Sequence, residues 1–64
     1  MTITITDPAQ LVYPYTFPKD DRFALYLNGL LLNEGDEFDF GPEPGEITLA
    51  VALKVGDRLE FRRL

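Results

Sequence analysis

The stretch that decides the fold is LYLNGLLLNEGDEFDF, from Leu25 to Phe40. It holds two glycines, each among residues that are typical of turns. Asn28-Gly29 is the strongest short hairpin signal, because both central residues of a type I′ turn take positive φ, which Asn and Gly tolerate best. Gly35 is placed for a left-handed conformation in a second turn. The stretch therefore predicts a tight hairpin followed by a further strand.

Apolar and polar residues alternate on both sides of this stretch. MTITIT, residues 1–6, alternates strictly, and β-branched residues with a period of two are typical of strands. ITLAVAL, residues 47–53, and RLEFRRL, residues 58–64, repeat the pattern around a Gly56-Asp57 turn. No segment has the spacing of an amphipathic helix over a dozen positions. Short strands with frequent turns predict an all-β fold, a small antiparallel β-sandwich or barrel built from hairpins.

The N-terminal segment differs because a proline interrupts its strand pattern. LVYPYTFP, residues 11–18, contains Pro14, and proline confines a strand to the edge of a sheet. We therefore predict an extended N-terminal arm or edge strand over residues 1–18 and a compact β module over residues 19–64. If the arm docks on a neighbour, deletion of residues 1–12 leaves a folded core and abolishes assembly. Its in-phase apolar residues would either bind a partner or fill the core, and they are Ile3, Ile5, Leu11, Tyr13, Tyr15 and Phe17.

The compact module has a predicted core of inward-facing apolar residues. A chain of 64 residues buries only about 60% of the surface that its unfolded form exposes. Such small domains usually need a disulfide, a metal or a partner, and the absence of cysteine excludes the disulfide. We therefore expect a homo-oligomer or another multi-copy assembly. The predicted core residues are Phe23, Leu25, Leu27, Phe38, Phe40, Leu49, Val51 and Phe61.

The composition argues against several classes of function. A net charge of −5 argues against nucleic-acid binding, for which a basic patch is the usual footprint. No apolar run approaches the roughly 18 residues of a membrane span. Without cysteine or histidine a structural zinc site is not expected, and without serine as well the usual nucleophile–base pairs cannot form. We therefore expect no enzyme, no cofactor, no metal, no nucleic acid and no membrane contact.

An acidic segment is the remaining candidate for a ligand site. The calcium-loop pattern is not matched there, so a solvated face that keeps an edge strand soluble is favoured over a cation site. The C-terminal end is basic and would pair either with the acids of an adjacent subunit, head to tail, or across its own sheet. The acids are Glu34, Asp36, Glu37, Asp39, Glu43 and Glu46, and the basic residues are Lys54, Arg58, Arg62 and Arg63.

The turn motifs and the strands between them, taken together, resemble a β module of bacteriophage tail fibres and related virion proteins. In that module a strand ends in Asn-Gly, and an apolar strand returns to a Gly-Asp step before an aromatic residue. An Ile-Thr-Leu strand then precedes a Gly-Asp turn and a closing strand. The aromatic segment at residues 13–27 is similar to the beginning of the N-terminal domain of podovirus tail fibres. The matching positions are Asn28-Gly29, Gly35-Asp36 with Phe38, Ile47-Thr48-Leu49, and Gly56-Asp57 before Leu59-Glu60-Phe61.

The resemblance implies a non-catalytic structural component of a bacteriophage virion, with capsid, tail or fibre proteins as partners. A tail fibre continues into a shaft and a receptor-binding tip, whereas this chain stops after the module, so we expect a small particle component. It would act in fibre or tail attachment or as a capsid decoration (cement) module. The alternative from another class is a small acidic host-directed binding or inhibitor protein, which the size and the negative charge also fit.

Overall fold

The computed structural model describes residues 1–16 and 22–64, and in them seven β-strands form two sheets. Every strand pair is antiparallel, and these residues contain no helix. The prediction of an all-β fold is confirmed; the sheets form a sandwich-like arrangement and not a closed barrel. The strands are β1 (Thr2–Thr4), β2 (Val12–Pro14), β3 (Phe23–Leu27), β4 (Leu30–Leu31), β5 (Phe38–Phe40), β6 (Glu46–Leu49) and β7 (Arg58–Arg63).

The four-stranded sheet has the order β1-β7-β3-β4, so the first strand lies beside the last. β7 pairs with β3 on one side and with β1 on the other. β3 and β4 form a two-residue hairpin in which Asn28 and Gly29 take φ values of 52° and 83°. Positive φ at both positions gives the turn the same twist as the strands, which is why such turns suit hairpins.

The three-stranded sheet has the order β2-β6-β5. β6 ends at Leu49, whereas the alternation predicts a strand as far as residue 53. The chain bends at Val51 because the next strand, β7, belongs to the other sheet. Leu53 is nevertheless buried, so the crossing segment contributes to the core although it is not a strand.

One apolar core lies between the sheets, and among the described residues no polar or charged residue is buried. The radius of gyration is 10.8 Å, and a compact chain of this length has about 10.7 Å, so a single copy is fully collapsed. The buried residues are Ile5, Tyr13, Leu25, Leu32, Phe38, Ile47, Leu49, Leu53, Leu59 and Phe61.

Phe40 was predicted to lie in the core, and that prediction is wrong. It is 49% exposed, because it stands at the end of β5, which has no described strand on one flank. Its ring still contacts Phe23 and Phe38, with 5.7 Å between ring centres in each case. The other predicted core residues are buried at Leu25, Phe38, Leu49 and Phe61, and half-buried at Phe23, Leu27 and Val51.

An arm that extends away from the domain is not confirmed. The segment 1–16 instead supplies one edge strand to each sheet, β1 beside β7 and β2 beside β6. Ile5 and Tyr13 are 0% and 4% exposed and belong to the core of their own domain. The boundary predicted between residues 18 and 19 lies outside the described residues.

Candidate interaction surface

Two turns of the four-stranded sheet lie side by side and are joined by hydrogen bonds. Asn28 Nδ2 donates to Asp57 Oδ1 at 3.0 Å, and the Arg58 N–H donates to Asn28 Oδ1 at 2.9 Å. The Lys54 N–H donates to Asp57 Oδ2 at 2.9 Å. The Asn28 amide therefore fastens the hairpin to the turn before β7.

The hydrogen bond from Asn28, and then that from the Lys54 N–H, lower the pKa of Asp57 because both favour the charged carboxylate. Beside this network lies a polar cleft of about 420 Å³ with one carboxylate, Glu60. That carboxylate is paired with Arg62 at 2.6 Å, so the cleft does not offer the two free acids of glycoside hydrolysis. The hydrogen bonds between the two turns therefore have a structural role. The cleft is lined by Thr2, Asn28, Gly29, Arg58 and Glu60.

Hydrogen bonds within the acidic segment stabilise the turn between β4 and β5. Glu37 Oε1 accepts hydrogen bonds from the Asn33 N–H at 3.0 Å and from Asn33 Nδ2 at 3.1 Å. These bonds hold the connection between β4 and β5, where Gly35 has φ of 91°. Across residues 1–16 and 22–64, no group of three or more acids could hold a metal ion. The exposed acids around the turn are Glu34, Asp36 and Asp39.

An exposed apolar surface lies where the edges of the two sheets meet. Leu31, Phe40 and Leu64, which we call the apolar edge, are 54%, 49% and 82% exposed. Together with Phe23 they line a cleft of about 410 Å³ beside β4 and β5. Exposed apolar residues that stand alone are ordinary, whereas contiguous ones mark interaction sites. Walls this exposed suit a segment of polypeptide better than an enclosed small molecule.

The backbone of β4 offers free hydrogen-bonding groups at the apolar edge. The Leu32 N–H donates to the Leu25 C=O, and the hairpin pairs Leu27 with Leu30. Bonded and non-bonded pairs alternate in an antiparallel ladder, so Leu31 directs its N–H and C=O away from β3. No described residue bonds to them.

The backbone of β5 is open in the same way. The Gly41 N–H donates to the Glu46 C=O, and the Ala50 N–H donates to the Glu37 C=O. By the same alternation, Phe40 points its N–H and C=O away from β6. Both sheets therefore end on this side with an exposed apolar side chain and a backbone pair to which no described residue bonds.

On the opposite side of the sandwich, the edge of β2 is blocked. The residues whose backbone faces outward there are Val12 and Pro14, because the residues between and beside them bond to β6. Pro14 has no N–H, and the Val12 C=O accepts a hydrogen bond from Gln10 Nε2 at 3.1 Å. A proline on an edge strand is a common protection against unwanted strand pairing.

The edge of β1, next to β2, is open. The Phe61 N–H donates to the Met1 C=O, and the Ile5 N–H donates to the Asp57 C=O. The residues between them, Thr2 and Thr4, therefore direct their backbone groups outward. Both threonines are exposed, so this edge is polar.

The structure buries some of the residues predicted as partner contacts and leaves others half-buried or exposed. Ile5 and Tyr13 fill the core, where burial, with the Asp7 carboxylate as a second cause, also raises the pKa of Tyr13. Leu11 is 41% exposed at the start of β2, and partner binding by it stays a prediction. Ile3 and Tyr15 are half-buried against the core, and Phe17 lies outside the described residues.

Sequence reasoning missed the apolar edge. The run Leu30 to Leu32 holds three apolar residues in a row, whereas a strand with one buried face alternates. At least one of these leucines had to face outward, and in the structure only Leu32 is buried. The run of three leucines was therefore the signal in the sequence for an exposed apolar surface.

Comparison with protein-family models, with curated proteins and with solved structures finds no match for this chain. A search of residues 1–16 and 22–64 for helices that could span a membrane finds none. The interpretation of function therefore depends on the surface just described and on the turn motifs.

Proposed function

We propose that the protein is a non-catalytic structural component of a bacteriophage virion. It acts through protein–protein contacts, in fibre or tail attachment or as a capsid decoration module, and is present in many copies. The observation that carries the proposal is the apolar edge, where Leu31 and Phe40 combine exposed side chains with backbone groups that no residue in the described ranges bonds. The order of the turn motifs, which resembles the tail-fibre module, supports the viral setting.

The apolar edge suits strand addition, in which a partner strand extends an exposed sheet edge. In such contacts the backbone bonds supply affinity and the side chains supply specificity. Among the described residues the core beneath buries no charged side chain, so the surface that meets the partner stands on a packed interior. This arrangement supports an adhesive role more directly than a catalytic one, because the polar cleft has one carboxylate and that group is paired.

Quantitative mass spectrometry of purified phage particles, grown from the source of this sequence, tests the proposal. The wild-type chain should be present at many copies per particle. Leu31→Lys places a charge on the apolar edge and should lower that copy number at least tenfold. Val55→Lys is the matched control, since Val55 is 70% exposed in a turn outside the apolar edge, and it should be incorporated like the wild type.

Absence of the wild-type chain from particles would sink the structural proposal. Recovery in infected cells as a complex with a host protein would favour the alternative, a small acidic host-directed binding or inhibitor protein. Equal incorporation of Leu31→Lys and wild type would remove the apolar edge from the proposal.

A further inference from the structure

The geometry points to a head-to-tail contact between copies of this chain, in which β4 of one copy pairs with β1 of the next. This inference deepens the proposed function, on which it rests, by naming the occupant of one part of the apolar edge. A head-to-tail contact leaves a free edge at each end of the assembly. Repetition therefore gives a ring if the rotation closes and a filament if it does not.

The four sheet edges do not have the same capacity for pairing. Within the described residues the β2 edge is blocked by Pro14 and by the bond that Gln10 makes to Val12. In the four-stranded sheet both edges are open, at Leu31 on one side and at Thr2 and Thr4 on the other. That sheet alone can therefore continue by hydrogen bonds in both directions.

The strand directions allow this continuation. Each neighbouring pair in the order β1-β7-β3-β4 is antiparallel, so β1 and β4 run in opposite directions. A second copy in the same orientation then presents its β1 antiparallel to β4 of the first. The result is one continuous antiparallel sheet without reversal of either molecule.

The faces of the sheet also match across such a contact. Leu31 lies opposite Tyr26, which lies opposite Glu60, which lies opposite Thr2. Directly paired residues share a face, so the side chains of Leu31 and Thr2 lie on the same face of the sheet. A register shift of one residue would place them on opposite faces. Leu31 of one copy can therefore pair with Thr2 or Thr4 of the next while buried and exposed faces continue in phase.

Charge selects this contact over a two-fold contact between two β4 edges. The exposed acids Glu34, Asp36 and Asp39 lie on or beside β4 and β5, and two such edges would bring like charges together. The β1 edge carries threonines, and the side chains opposite them on β7 are Glu60, which is paired with Arg62, and the cation of Arg58. The acidic edge thus meets one that carries threonines, a paired acid and a cation.

Exposed apolar residues are present on both partners of the contact. Met1 and Leu11 are 42% and 41% exposed on the side of β1 and β2. Leu31 and Phe40 are 54% and 49% exposed on the side of β4 and β5. The three-stranded sheets cannot pair, because β2 is blocked, so they would meet through these side chains alone.

Two edge-blocked variants test the contact by complementation in solution. Leu31→Pro removes the outward N–H of β4, and Thr4→Pro removes that of β1; proline is tolerated where the N–H faces solvent. Sedimentation velocity and native mass spectrometry should show a concentration-dependent oligomer for wild type and a monomer for each variant alone. A mixture of the two variants, one of them isotopically labelled, should give a mixed dimer and nothing larger.

If either proline variant fails to fold by circular dichroism, Leu31→Lys and Thr4→Lys replace them, with Val55→Lys as the control that should assemble normally. A monomeric wild type at high concentration overturns the inference. A dimer of the Thr4→Pro variant alone also overturns it, because that dimer would pair β4 with β4. A dimer of the Leu31→Pro variant alone does the same, because it would pair β1 with β1. Membership of the virion is measured separately on particles, so the two proposals can fail independently.

Discussion

At Gly29 the backbone has φ of +83°, and beyond its two chain neighbours no atom lies within 4 Å of the position that a Cβ would take. Gly29→Ala therefore meets no clash, and its cost arises from the left-handed backbone alone. We expect a loss of about 1–2 kcal/mol in the free energy of unfolding, measured by urea denaturation. Gly29→Asn is the control and should lose less, because Asn tolerates this conformation. Equal stability of Gly29→Ala and wild type would contradict the assignment of a type I′ turn.

Asp57 gives the domain a pH dependence that can be assigned to one side chain. Because its folded-state pKa is lowered, the stability it contributes is complete above its ordinary pKa of 3.8 and is lost as the pH falls through the folded value. Wild type should therefore exceed Asp57→Asn in unfolding free energy at pH 6, and the difference should narrow in strong acid.

Asn28→Gly supplies the control for that measurement. It keeps a residue that accepts positive φ and removes the amide that donates to Asp57. In this background the pH-dependent difference between Asp57 and Asp57→Asn should shrink. An unchanged difference would show that the Asn28 hydrogen bond is not its main cause.

At the scale of single residues, backbone demands were visible in the sequence and side-chain partners were not. Asn-Gly predicts positive φ because the requirement belongs to those two residues. The hydrogen bond between Asn28 and Asp57 joins positions 29 residues apart. No local pattern specifies such a partner, since it depends on how the strands are arranged.

At the scale of the strands, β5 shows the same limit of prediction from sequence. Phe38 and Phe40 share a face by alternation but differ in burial. Phe38 is 5% exposed and Phe40 is 49% exposed. Phe38→Ala should cost about 3–5 kcal/mol through the cavity that it leaves. Phe40→Ala should cost about 1.5 kcal/mol, half of the roughly 3 kcal/mol gained by full burial of such a side chain.

Thermal and urea unfolding of the two variants measure this difference. For so small a domain, the larger value approaches the whole stability, so Phe38→Ala should be largely unfolded at 37 °C while Phe40→Ala keeps a cooperative transition. Equal losses of unfolding free energy would mean that Phe40 is covered in solution, for example by a second copy. Repeating the measurement at low protein concentration shows whether a second copy is the cause. Alternation predicted the face that the two rings share, but not which ring is covered. Phe38 is bridged to Glu34 of the preceding turn, whereas Phe40 lies at the other end of the same edge strand.

At the scale of the whole molecule, residues 1–12 should be indispensable for folding. A folded core after this deletion was expected on the condition that the arm docks on a neighbour. The structure favours the opposite outcome, because Ile5 is 0% exposed in the core and β1 pairs with β7. We expect the deletion to abolish cooperative melting in circular dichroism and dispersion in amide NMR spectra. Ile5→Val, at about 0.5–1.5 kcal/mol, should remain folded. If the chain without residues 1–12 still unfolded cooperatively, the N-terminal arm would be a unit separate from the folded core.

The fold class was predictable and the strand order was not. Period-two alternation and frequent turns are local properties, and they predicted the antiparallel all-β architecture. The pairings of β1 with β7 and of β2 with β6 join distant parts of the chain, and short strands carry too few residues to specify such partners. The exposed apolar edge follows from that strand order.

The central position of β7 has a consequence for biosynthesis. The ribosome makes this strand after the six other described strands, yet both β1 and β3 need it as a neighbour. No nascent chain that lacks residues 58–63 can complete the four-stranded sheet, so the β3–β4 hairpin must wait with its apolar face uncovered. Contacts between segments so far apart also form slowly. Folding of this domain should therefore wait until residues 58–63 have been synthesised, and translation products truncated before them should be targets for proteolysis.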